Sequence, residues 1–224
     1  MRFPNAAKGV SKIFIAEILM LIGAIVTLIG AVLVMGSSET LVESFVADEL
    51  TQEAGVSLGM TYAGGSMIML ASLIVMLIGE ILLLVGLWQT GKDEPIYAKK
   101  AFWFAIILIV VGIVNSCLTA SGNESFARFA QVASDVLNIL VFTFTIYGIN
   151  QLAQQVNRSD IAALGNKIVW ILVAVLVISL ILKIISNTGV IGGIGSIAAS
   201  VLSIVMIVAY LVFLAKAKNA LKAN

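Results

Sequence analysis

Apolar residues in this chain fall into six long runs, at about 11–35, 66–88, 101–120, 131–152, 168–186 and 194–215, and short polar segments between them hold most of the charge. Crossing a bilayer takes about 20 apolar residues at about 1.5 Å rise apiece, and each run has roughly that length. The pattern predicts an all-α integral membrane protein with six transmembrane helices, forming a single domain over 1–224. The first run follows Arg2, Lys8 and Lys12, which gives it the basic start of a secretory leader. From Ile13 to Met35 it is longer than the apolar core of a leader, about 7–15 residues, and no convincing cleavage site follows. It reads as the first spanning helix.

The charges assign the ends of these helices. Of the 13 basic residues, all but Arg128 and Lys183 fall in the N-terminal tail, the second and fourth connections, or the C-terminal tail. Those segments share one side if every run crosses once. The positive-inside rule then places both termini in the cytoplasm and the protein in the plasma (cytoplasmic) membrane. The first connection is acidic instead, with Glu39, Glu43, Asp48, Glu49 and Glu53. Leu41, Val42, Phe45, Val46 and Leu50 recur there at helical spacing, and Thr40 with Glu43 reads as a capping box. A short amphipathic helix on the outer surface is expected between helices 1 and 2.

The runs also pair into three tandem helical hairpins. Lys100-Ala101-Phe102-Trp103 opens the third run and Lys167-Ile168-Val169-Trp170 the fifth; Lys12-Ile13-Phe14 opens the first. Ser121-Gly122 and Thr188-Gly189 occupy matching outer ends, and Ser121 with Glu124 reads as a second capping box. An internal repeat of this kind would put any pathway on a pseudo-threefold axis. Basic and aromatic residues at one end of every hairpin are also what membrane insertion alone selects.

Composition narrows the chemistry. Hydrophobic residues make up 61% of the chain and charged ones 11%, against about 25% charged in soluble domains. No polar stretch approaches the roughly 50 residues of a separate catalytic or nucleotide-binding domain. Histidine is absent and Cys117 is the one cysteine. That excludes an internal disulfide, the usual zinc sites and His-based nucleophile systems. No metal or cofactor is expected, and Cys117 reads as a packing residue. A net charge of +1 gives no reason to expect nucleic acid as a partner.

Ionisable groups within the runs are functional candidates because hydrocarbon penalises them by about 2.5–3.5 kcal/mol on insertion scales. Glu17 and Glu80 both lie in the inner halves of consecutive antiparallel helices, where two carboxylates could approach and share a proton. Asp135 and Lys183 lie near the outer ends of helices 4 and 5. Asn138 and Thr145 share a helical face with Asp135, and Asn115 falls at similar depth on helix 3. With Ser196, Ser200 and Ser203 of helix 6, these residues suggest an outer polar vestibule. The bland readings are a headgroup-level Glu17, a snorkelling Lys183, a structural Asp135–Lys183 pair and close helix packing along helix 6.

The favoured function is transport of a small solute, ion or lipid, with Glu17, Glu80, Asn115, Asp135, Asn138 and Lys183 as pathway candidates. The alternative is a non-catalytic subunit, scaffold or immunity-type partner of a larger complex. An enzyme is not expected; a carboxylate-dependent one acting on lipid is the third reading. The expected partners are the lipid bilayer and either a second membrane protein or further copies of the chain.

Overall fold

A computed structural model describes residues 3–46, 52–185 and 190–223, with side chains at 3–34, 61, 63–123, 126, 129–175, 178 and 206–222. The described residues form six α-helices and no strand: α1 Pro4–Val46, α2 Gln52–Asp93, α3 Ala98–Ala120, α4 Glu124–Gln155, α5 Ser159–Ile185 and α6 Val190–Ala223. Four stretches among the described residues are long and apolar enough to cross a membrane: Pro4–Val34, Ala63–Asp93, Ala98–Ala120 and Phe129–Gln155.

Among the described residues the expected separate outer helix does not begin at Thr40; its later part, with Asp48, Glu49 and Leu50, lies outside the described residues. Helix α1 runs unbroken for 43 residues through Thr40 and Glu43 to Val46. Thr40 therefore sits inside a helix rather than ahead of one, and cannot serve as the N-cap that a capping box requires. The second expected box fails for a related reason. Ser121 is the last-turn cap of α3 and its hydroxyl donates to the Leu118 carbonyl at 2.9 Å. Asn123, not Ser121, precedes α4, and it makes no side-chain cap bond.

The chain groups into two compact units, one of Met1–Phe14 with Leu84–Asn224, the other Ile15–Leu83. In the Ile15–Leu83 unit, α1 and α2 pack along a seam of small residues spaced by seven. Ala16, Gly23 and Gly30 line it on α1; Gly65, Ser72 and Gly79 line it on α2. A Cβ added to Gly79 would lie 2.8 Å from Met20 Cγ and 3.2 Å from the Ala16 carbonyl oxygen; one added to Gly65 would lie 3.0 Å from the Gly30 carbonyl oxygen. Small residues thus let the backbones approach closely, and a period of seven keeps the seam facing its partner along the length. The Thr27 and Ser72 hydroxyls share a 2.6 Å hydrogen bond across it. Outside the seam, apolar side chains are exposed at Leu28, Val32, Leu70 and Ile74.

The larger unit repeats the same device where its part of α1 meets its part of α2. A Cβ on Gly86 would lie 2.8 Å from the Gly9 carbonyl oxygen and 2.7 Å from Ile13 Cγ1. Helix α4 packs on α3, α5 and α6, and α5 on α6. Its core joins Ile146, Ile149 and Leu152 of α4 with Leu172 of α5 and with Tyr210, Phe213 and Leu214 of α6. Phe142 meets Tyr210 edge-on at 4.9 Å.

Both tight connections in this unit end their helix by the same motif. After α3, Asn123 N–H donates to the Leu118 carbonyl and Gly122 N–H to that of Thr119, with Gly122 at φ +73°. After α4, Arg158 N–H donates to the Ala153 carbonyl and Asn157 N–H to that of Gln154, with Asn157 at φ +58°. This Schellman pattern closes otherwise unpaired helical carbonyls and needs a left-handed residue, supplied by Gly in one case and Asn in the other.

Candidate functional site

The seam of the Ile15–Leu83 unit fixes the relation between its two carboxylates. Gly79 packs between Ala16 and Met20, so residue 80 of the descending helix is level with residue 17 of the ascending one. Each glutamate follows its seam residue, Ala16 or Gly79, by one step. In an antiparallel pair that step turns both side chains to the same flank. Glu17 is buried at 5% exposure, whereas Glu80 is half-buried. Among the described residues, no hydrogen bond or ion pair reaches the Glu17 carboxylate.

A second polar group lies on α3 and α4 in the larger unit. The Asn115 amide donates to Gln131 Oε1 at 3.2 Å, and Gln131 Nε2 donates to Asp135 Oδ1 at 3.3 Å. Asn115 and Asp135, both sequence candidates, are thereby linked, and the link is Gln131, which the sequence reading passed over. The donors point one way, toward the carboxylate. Asn115 Oδ1 is buried without a hydrogen-bond partner among the described residues, which leaves one acceptor at the head of the chain.

The other candidates do not join this group as expected. Asn138 is exposed, while Thr145 is buried at 2% and donates back to the Val141 carbonyl at 2.6 Å. The two lie in opposite environments and do not line one wall. Lys183 lies within α5, but its side chain is outside the described residues, as are those of Ser196, Ser200 and Ser203. Cys117 is exposed rather than packed, on a flank of α3 that also exposes Ile113 and Val114.

A third polar cluster sits at the opposite end of α3 and α4. Glu94 is buried at 3% exposure, and its carboxylate accepts the N–H groups of Ile96, Tyr97 and Ala98 at 3.1, 2.9 and 2.7 Å. These are the free donors at the start of α3, which a carboxylate satisfies well. Gly148 of α4 makes room: a Cβ there would lie 3.1 Å from Glu94 Oε2. Two residues on, Asn150, also buried, donates to Asn166 Oδ1 at 3.0 Å. Gly165 of α5 packs directly on the Asn150 amide. Just beyond α4, Arg158 forms a two-pronged ion pair with Asp160, both distances being 3.0 Å. The guanidinium holds the exposed Asp160 carboxyl below its ordinary range through hydrogen bonding first and charge attraction second.

Set against models of known protein families, curated proteins and solved structures, the chain matches none of them.

Proposed function

We propose that this is an integral membrane protein of six spans that moves a small solute, ion or lipid across the bilayer, with Glu17 as the coupling group. The observation that carries the reading is a buried carboxylate in an apolar helix with no partner among the described residues. Such a group is costly to keep in hydrocarbon, and a purely structural hairpin closed by Gly, Ala and Ser has no need of it. Glu80, level with it on the same flank, is the second member of the site. The Asn115–Gln131–Asp135 chain of the larger unit is a separate polar group that would offer a solute a carboxylate and amides.

Both termini are assigned to the cytoplasmic side of the plasma membrane. The basic residues support this orientation, and so do the tryptophans. Trp88, Trp103 and Trp170 are 48%, 57% and 75% exposed, at the lysine-rich ends of their helices, where an aromatic belt would lie. No enzymatic step is assigned.

A second reading, a non-catalytic subunit of a larger complex, draws on the Ile15–Leu83 unit. Two helices that bury one seam and expose apolar side chains elsewhere suit docking by a partner helix as well as by lipid. Native mass spectrometry of the protein from its own membrane in mild detergent separates the two. A retained small molecule or lipid on the chain, alone or as a homo-oligomer, supports transport. A stoichiometric second protein supports the subunit reading instead.

A further inference from the structure

Where α2 gives way to α3 through the short connection at 94–97, the surface holds a groove of about 300 Å³. Its lining includes Trp88, Gly91 and Lys92 of α2, Pro95 of the connection, and Lys99 and Phe102 of α3. The volume lies at the lower end of small-molecule pockets, about 300–1,000 Å³. It suits a headgroup rather than a whole drug-sized ligand. We infer that this groove binds the phosphate-bearing headgroup of an anionic phospholipid, with Lys92 and Lys99 as its charged contacts.

The lysines are free to do so. Both are exposed, and among the described residues neither takes part in an ion pair. Two carboxylates stand next to them in sequence but are engaged elsewhere. Asp93 accepts Ala6 N–H at 2.7 Å and the Asn5 amide at 3.0 Å. Glu94 accepts three N–H groups at the start of α3. Neither carboxylate makes an ion pair with Lys92 or Lys99 among the described residues, so both ammonium groups stay available to an anion in the groove.

The apolar half of the lining selects a lipid over free phosphate. Trp88 and Phe102 pack ring to ring at 5.3 Å, giving the groove an aromatic wall. Trp88 closes one apolar run and Phe102 begins the next, so the groove lies level with the headgroups if these runs span. Gly91 faces the Lys99 backbone, with a Cβ position 3.4 Å from its nitrogen, which keeps the floor free of side chain. Basic pockets between spanning helices, next to aromatic anchors, are where anionic headgroups are held.

The inference rests on the membrane-embedded reading and not on transport. A Glu17→Gln protein that kept its flux would remove the coupling role and leave the lipid preference in place. The test is native mass spectrometry of the full chain with phosphatidylglycerol and phosphatidylcholine added in equal amounts. The wild type should retain phosphatidylglycerol preferentially, and Lys92→Gln/Lys99→Gln should lower that preference roughly tenfold or more. Lys167→Gln/Lys222→Gln, which removes the same charge from exposed positions at the same end, should leave it unchanged. Equal loss in both double variants, no preference in the wild type, or displacement of the lipid by millimolar inorganic phosphate would each overturn the assignment.

Discussion

The Asp93 carboxylate, on the last residue of α2, accepts the backbone N–H of Ala6 in the first turn of α1 at 2.7 Å. Its neighbour Glu94 serves the start of α3 in the same way. Two consecutive acids thus satisfy the free donors of two different helices, α1 and α3. Asp93→Ala should cost about 1–2 kcal/mol of stability, and Glu94→Ala at least as much because its site is buried. Lys92→Ala, next door and exposed, should stay within about 0.5 kcal/mol. Thermal unfolding followed by circular dichroism in one detergent compares all three. Equal effects at the three positions would remove the capping account.

Close approach along the α1–α2 seam makes a different demand. Gly86→Ala places a methyl 2.8 Å from the Gly9 carbonyl oxygen, so the helices must part, at about 1–3 kcal/mol. Gly112→Ala on α3 meets nothing within 4 Å. It should be neutral or stabilise by up to about 1 kcal/mol through helix propensity. The same melting assay checks the opposite signs; a loss at Gly112 as large as at Gly86 would show that the seam is not the cause.

Gly165 and Asn150 should behave as one unit. A methyl at 165 would collide with the Asn150 amide, so Gly165→Ala alone is expected to destabilise. In an Asn150→Ala background most of that cost should vanish, leaving a coupling of about 0.5–3 kcal/mol in a double-mutant cycle. Additive effects would mean that the two residues do not share the contact.

The left-handed Asn157, at φ +58°, sets the turn between α4 and α5. Asn157→Gly should be tolerated within about 0.5 kcal/mol, whereas Asn157→Val should cost about 1–2 kcal/mol, because a branched side chain is strained there. Denaturation midpoints for the pair give the comparison, and a harmless valine would contradict the turn geometry.

The helices were legible because apolar length is a strong signal, and all six runs lie on described helices except for residue 186. The seam of the Ile15–Leu83 unit was also written in the sequence, as Ala16, Gly23 and Gly30 at intervals of seven. In a helix that is apolar all round, however, no polar face draws attention to the packing face. The Thr40–Glu43 pattern misled because capping residues mark a helix start only where the preceding residues are not already helical. Asp93 and Glu94 were missed since Asp93 acts on an N–H group 87 residues away and Glu94, in the connection, acts on the start of the next helix. For Glu94 a signal existed: an acid just before Pro95 and a few residues ahead of a new helix. Gln131 carries no charge, so a search for ionisable groups passes it by, although it joins Asn115 to Asp135.

The coupling role of Glu17 is tested most directly by flux in liposomes. Purified protein is reconstituted with a pH-sensitive dye inside, a potassium diffusion potential is imposed, and proton entry is followed for wild type, Glu17→Gln and Lys167→Gln. The account predicts entry faster than in empty liposomes for the wild type and for Lys167→Gln, and a return to the empty-liposome rate for Glu17→Gln with the protein still folded. Wild-type entry no faster than that of empty liposomes, or full entry in Glu17→Gln, would contradict it.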